Sequence, residues 1–332
     1  MSSTATDTLA TQHAHAEEIP PGQVIPHLLQ ELGDHHELNI AFTTSDVLPV
    51  VLYDGGRWHF YRNAHAMEQE GEYRISKGHI VRATDGASPA LDLSVTNLVV
   101  FQWIGMLIVL ALFFVAGRRY RRDPLMPPRG LQNALEAIVV YIRDEVVRPN
   151  LRSERLVRQF MPYFVGLFLF ILVLNLLGLL PGMHTATGAI GTTAALAITA
   201  FVVINGLAIR EIGINGWLHH LLGGAPAYLA PIMVPIEILG LFTKPFALTV
   251  RLFANMSAGH IILLSLIGLI FYFRSIFVAP MSVGFSIFIY LLETLVCFLQ
   301  AYIFTVLTAV FVGLALGDHA HDHDEHHTAV SL

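Results

Sequence analysis

Residues Pro235–Ile262, PIEILGLFTKPFALTVRLFANMSAGHII, form a mainly apolar run whose only ionisable residues are Glu237, Lys244, Arg251 and His260. The apolar character extends from about Tyr228 to Phe273. A membrane crossing needs about 20 such residues, so this one is long enough to span at a steep tilt. An arginine near the bilayer centre costs at least about 2.5–3.5 kcal/mol. Arg251 therefore calls for a partner or a pathway. Outward snorkelling to a headgroup is defeated by more than 20 residues between Arg251 and Phe273. Inward snorkelling is open only if the helix begins at Pro245.

Four further runs accompany it. They are Leu98–Ala116, Phe160–Leu180, Ile190–Ile209 and Met281–Leu316. The chain of 332 residues is 54% hydrophobic and 13% charged, about half the charge of a soluble domain. The fold class is an all-α polytopic membrane protein with five transmembrane helices. The last two form a long tilted antiparallel hairpin that turns near Arg274–Pro280. Between the first two spans stand Arg118, Arg119, Arg121, Arg122, Arg129, Arg143, Arg148, Arg152, Arg155 and Arg158. The positive-inside rule places that loop in the cytoplasm. The N-terminus is then outside and the C-terminus cytoplasmic.

Within the loop, Leu131, Leu135, Ile138, Ile142 and Val146 recur at helical spacing. They read as an amphipathic helix on the membrane surface, with a small helix packed on the loop as the alternative. Residues 37–82 alternate like strands, and Asp54-Gly55-Gly56 is a hairpin signal. A small β-rich extramembrane element is expected there. The domain division is an extracytoplasmic extension (1–92), a transmembrane domain (93–317) and a His/acid-rich cytoplasmic tail (318–332). No signal peptide is recognisable at the N-terminus. The histidines of both ends read as solvated low-complexity sequence, with metal binding as the alternative. Cys297 is the single cysteine and reads as a small core residue; it excludes an intrachain disulfide framework. Neither a metal nor a cofactor is expected, and no nucleotide loop or nucleophile motif is present.

An antiparallel hairpin can be registered by arithmetic. Arg251 and Gln300 share a midpoint near the turn, as do His260 and Glu293. Arg251 should therefore lie level with Gln300, and His260 level with Glu293, nearer the outer face. Glu237 lies 14 residues before Arg251, towards the cytoplasm. Asn255, four residues on from Arg251, shares its face. Lys244 reads as a snorkelling anchor, Asn175 as structural, and Gly259 and Gly313 as points of close helix packing. Glu and His exchange protons near neutral pH when their surroundings shift them. Arginine does not deprotonate, so Arg251 is a barrier between two half-paths. Its charge can hold a carboxylate ionised, with an attraction of about 4 kcal/mol at about 4 Å and an effective dielectric near 20. That carboxylate must come from another chain. For Glu237 and Glu293, salt bridges inside the bundle remain the alternative. A stand-alone secondary transporter that uses the arginine for an anionic substrate is the rival reading. Such transporters often carry internal repeats, and none is visible here.

At these residues the chain resembles subunit a of F-type ATP synthases. The resemblance rests on Pro235–Ile262, with RLFANMSAGH as its core. FLFILVLNLLGLLPG (Phe168–Gly182) and ETLVCFLQAYIFTVLTAVFVG (Glu293–Gly313) support it. It implies that Arg251 faces a rotating c-ring and that Asn255, Glu237 and Gln300 belong to the proton path. Some members carry Glu and His in the reverse order at the positions of His260 and Glu293. The resemblance implies a non-catalytic, proton-translocating subunit, with sodium as the alternative ion. Its implied partners are the c-ring, the subunit b peripheral stalk and other ATP synthase subunits in a bacterial inner membrane, with no nucleic acid.

Overall fold

Apolar helices of this length bury in lipid what a soluble protein buries in its core, and each satisfies its own backbone hydrogen bonds. The computed structural model describes residues 38–40, 43–76, 78–122, 127–151, 153–180, 186–220, 230–273 and 277–316. Five helices are long and apolar enough to cross a membrane. In chain order with the shorter helices, they are α2 (Asn97–Arg122), α5 (Glu154–Leu179), α6 (Ile190–His220), α7 (Ala230–Phe273) and α8 (Val278–Leu316). The shorter ones are α1 (Ala64–Glu70), α3 (Leu131–Tyr141) and α4 (Arg148–Asn150). Helix α7 has 44 residues and α8 has 39. At 1.5 Å per residue these reach about 66 and 58 Å, twice the hydrocarbon thickness, as the expected tilted hairpin requires. The histidine-rich ends and most of the α7–α8 turn lie outside the described residues.

Helix α8 packs on α7, α5 and α6, and α2 packs on α5. The main core gathers Phe164, Ile171, Leu252 and Phe304, all fully buried. A short 3-10 turn, Ala186–Gly188, ties the spans together. Thr187 Oγ1 donates to Asn175 Oδ1 at 2.8 Å, and Ser257 Oγ donates to Gly188 O at 3.1 Å. Asn175 is 1% exposed, so its amide is a structural tie between α5 and the turn. Gln102 Nε2 donates to Thr192 Oγ1 at 2.8 Å and links α2 to α6.

Three details differ from the sequence reading. The helical path of the third span breaks at Gly213 (φ 76°), just past Arg210-Glu211, and a second helical segment then continues to His220. The loop stripe is not one surface helix. Helix α3 passes into a π-helical turn, Ile142–Val147, then α4. Ile142, Val146 and Val147 are fully buried against α5 and α8, while Leu131 stays 55% exposed. The stripe thus buries mainly against protein. Lys244 also does more than snorkel, since its ammonium sits 5.3 Å from the centre of the Phe311 ring.

Before α2 lies the expected β-rich element. Strands β1 (Leu38–Ile40) and β2 (Thr43–Ser45) pair; β3 (Val50–Asp54) lies between β4 (Arg57–Tyr61) and β7 (Leu91–Asp92); β5 (Tyr73–Ser76) pairs with β6 (His79–Arg82). All pairs are antiparallel. Gly55 and Gly56 turn β3 into β4 with φ of 54° and 79°, the left-handed geometry a two-residue hairpin loop favours. One sheet face packs Val50, Leu52 and Tyr61 against Met67, Tyr73 and Ile80. Asp54 is buried at the edge of this core. Both Arg82 Nε and Nη2 donate to its carboxylate, Tyr73 OH donates at 3.0 Å, and the Gly55 N–H donates at 3.0 Å. The Arg82 hydrogen bonds hold the Asp54 carboxyl well below the usual range. Burial, then the bond to Asp54, pushes Tyr73 up to about 12.

A carboxyl whose pKa is depressed by folding stabilises the fold above its unfolded value, near 3.9, and loses that contribution as pH falls towards its folded value. Amide exchange across residues 50–82 of the full chain should accelerate as pH falls below about 4, relative to the intrinsic rate. Asp54→Asn should give weaker protection with little of this pH dependence. Unchanged protection in Asp54→Asn would show that the Arg82 pair contributes nothing.

Candidate functional site

The site lies where α7 and α8 cross. A Cβ added at Gly259 would come within 2.6 Å of Glu293 Cδ. Only glycine there lets α8 seat its carboxylate against α7. His260, the next residue, then holds its Nδ1 at 3.2 Å from Glu293 Oε1. Both are largely buried, with side chains 15% and 5% exposed. A carboxylate removed from water needs such a partner, and an imidazole can share one proton with it. The expected level pairing of His260 and Glu293 is thus present as a direct contact.

Five residues towards the start of α7, Asn255 Nδ2 donates to Gln300 Oε1 at 2.9 Å. Gln300 was expected level with Arg251. It meets Asn255 instead, and Arg251 lies one helical turn further along α7. The midpoint arithmetic resolves register only to about one turn, because the connection has its own length. A cavity of about 10 Å³, room for about one water, lies between Glu293 and the Asn255–Gln300 pair. Asn175, Asn255, Glu293, Cys297 and Gln300 line it. Cys297 is buried, as read from sequence, and forms part of this wall. Glu293 Oε2 and Gln300 Nε2 are buried without a hydrogen-bond partner among the described residues.

Arg251 is placed differently. It is exposed and makes no hydrogen bond or ion pair among the described residues. Ala247, Ala254, Asn255 and Ala258 surround it at helical spacing and are exposed too. Only 6% of the apolar window of α7 is buried, against 44–50% for α5, α6 and α8. Helix α7 therefore turns a broad uncovered face outward, with a fixed cation in its middle. Glu237 is half-buried, 14 residues and about 21 Å along the helix from Arg251. It is not in contact with the other site residues. No group of three or more metal-ligating side chains occurs among the described residues.

Sequence reasoning passed over Ser257 and Thr187, whose hydroxyls fix the 3-10 turn against α7 and α5. The only signal of Ser257 was polarity inside an apolar run, and Thr187 lies in the connection between two runs, where a hydroxyl is ordinary.

The sequence model of the ATP synthase A chain family matches residues 99–313. The chain belongs to that family. The match takes in all the spans that carry the site. The ATP synthase subunit a of Chloroherpeton thalassium is 50% identical over 242 residues, covering 71% of this chain and 72% of that one. The ATP synthase subunit a of Myxococcus xanthus is 43% identical over 287 residues, 83% of this chain and 91% of its own. That of Chlorobium phaeobacteroides (strain DSM 266) is 42% identical over 320 residues, 95% and 84% respectively. A match over 95% of the chain necessarily takes in most of residues 1–92, so the region before the spans has a counterpart in that ATP synthase subunit a. With membership of the ATP synthase A chain family, no observation supports the transporter reading.

Gly259→Ala should force Glu293 off His260, since the carboxylate cannot stay where the new methyl sits. The methyl meets the flexible end of the Glu293 side chain, which can swing aside, so the cost is that of leaving the buried pair unmatched, typically about 1–3 kcal/mol. The thermal midpoint of the purified protein should fall; an unchanged midpoint with an intact His260–Glu293 contact would refute the close-approach account.

Proposed function

We propose that this chain is the proton-translocating subunit of the ATP synthase membrane sector, and that Arg251 on the uncovered face of α7 is its barrier. The observation that carries the reading is that exposed cation, unpaired among the described residues, about 13 Å along α7 from a buried His260–Glu293 pair. The chain associates with other ATP synthase subunits. In this reading, the uncovered face of α7 meets the c-ring, and the small residues Ala247, Ala254 and Ala258 let a neighbouring helix come close. Subunit b of the peripheral stalk is a further partner.

The mechanism follows from what each group can do. His260 and Glu293 exchange protons with the outer aqueous phase and pass them, by way of the Asn255–Gln300 pair, to a c-ring carboxylate. Once neutral, that carboxylate can leave for the lipid. A protonated carboxyl returning from the lipid meets Arg251, whose charge favours the ionised form, so the proton departs through the inner half-path, where Glu237 stands. Arg251 cannot relay a proton and so blocks a leak between the two paths. The subunit is non-catalytic; proton flow is coupled to rotation, and rotation to ATP synthesis elsewhere in the complex. The membrane is the bacterial inner membrane, with the N-terminus outside and the C-terminus cytoplasmic. Residues 1–92 form an extracytoplasmic extension, 93–317 the transmembrane domain and 318–332 a cytoplasmic tail.

Arg251→Ala should abolish ATP-driven proton pumping in membrane vesicles while the complex still assembles. Normal pumping would sink the reading. His260→Glu combined with Glu293→His should restore more pumping than either change alone. Simple addition of the two losses would mean that the residues do not work as a pair.

A further inference from the structure

The central sheet of the N-terminal element has two faces, and the one turned away from its core is also apolar. Strand register sets the composition of that face. Tyr53 of β3 stands opposite Trp58 of β4 and Leu91 of β7. Val51 stands opposite Phe60, and the Leu93 N–H donates to Val51 O at 2.9 Å. Directly paired residues share a face, so two rows cross all three strands: Leu91–Tyr53–Trp58 and Leu93–Val51–Phe60. Trp58 is 51% exposed, Phe60 71% and Leu93 54%. Trp58 also contacts Tyr53 and Phe60, with ring centroids 4.9 and 6.2 Å apart. A continuous aromatic and aliphatic patch of this kind marks an interaction surface rather than scattered exposure.

The connection to α2 indicates what covers it. Strand β7 does not end in a free loop. The Val95 N–H donates to Pro49 O at 3.1 Å, so the chain keeps its line beside β3 almost to Asn97, where α2 begins. Leu93 is four residues from that start, within about 13 Å of extended chain. On the far side of the junction, α2 exposes Trp103, Met106, Leu107 and Leu110, the residues of a lipid-facing helix. The apolar face of the sheet is therefore held at the membrane entry point. Its chemistry is that of the interfacial belt, where Trp and Tyr concentrate.

We propose that this sheet face beds in the headgroup–acyl boundary of the bilayer, with Trp58 and Phe60 as its anchors. The N-terminal element is then a membrane-surface foot that fixes the entry of α2. Exposed Arg62, two residues beyond Phe60, supplies a cation for lipid phosphate at its margin.

Trp58, Trp103 and Trp217 are the three tryptophans of the chain, so single-tryptophan variants can test this. The full chain carrying Trp103→Phe and Trp217→Phe, reconstituted in phosphatidylcholine vesicles, should show Trp58 emission quenched by lipids brominated near the headgroup. Quenching by aqueous iodide should be several-fold weaker than for the same protein unfolded. A companion variant that keeps only Trp103 should respond to lipids brominated further down the chain, which verifies insertion. Strong iodide quenching of Trp58 without lipid quenching would overturn the proposal. Protection from both quenchers would overturn it too, by showing a protein surface on the patch. As a second readout, Phe60→Cys in a Cys297→Ser background should react slowly with a charged thiol reagent in vesicles. Reaction as fast as at a solvent-exposed cysteine would equally overturn the proposal.

Discussion

The arrangement of the site depends on how closely α7 and α8 approach at Gly259. A titratable carboxylate in an apolar bundle is tolerated only when a partner stands within hydrogen-bond reach. The missing side chain at Gly259 creates that reach. It seats Glu293 against His260 and, less than two turns along, Gln300 against Asn255. A second close approach, Gly313 against the Asn150 backbone, holds the far end of α8 on the short helix α4. The hairpin is thereby pinned at two places along its length, and the polar pairs between them keep their register.

Arg251 is governed by the opposite condition. The polar groups of α8 are paired inside the bundle, yet the arginine one turn from Asn255 is left outside it. Nothing in the described chain neutralises it. Helix α7 is also the least covered of the five spans. A costly charge on an uncovered face has a physical rationale when the compensating charge arrives on another molecule. In the proposed function that molecule is the c-ring, and the unneutralised cation is then a gate rather than half of a salt bridge.

The N-terminal element follows the same economy at a smaller scale. Its buried carboxylate, Asp54, is compensated by Arg82 and Tyr73 inside the element. Its second sheet face is apolar where a soluble sheet would be polar. A sheet apolar on both faces beside a transmembrane helix is consistent with a surrounding that is only partly water.

Much of this was legible in the sequence. Twenty or more apolar residues in lipid have few structural options, so the number and class of the spans followed from hydropathy. The hairpin of β3 and β4 followed from Gly55-Gly56, because φ above zero is open to glycine. The pairing of His260 with Glu293 followed from an antiparallel turn. The finer register did not: Gln300 meets Asn255 rather than Arg251, because one helical turn is below the resolution of a midpoint. The bend at Gly213, the π-helical turn at Ile142–Val147 and the burial of the loop stripe against α5 and α8 were also hidden. Each depends on which surfaces meet, and helical periodicity records that a face is apolar without naming what covers it. The sequence by itself determined that Arg251 stands in an apolar helix and cannot carry a proton. Only the tertiary structure decided that it points out of the bundle while His260, Glu293 and Gln300 point in, because exposure is set by the neighbours a helix packs against.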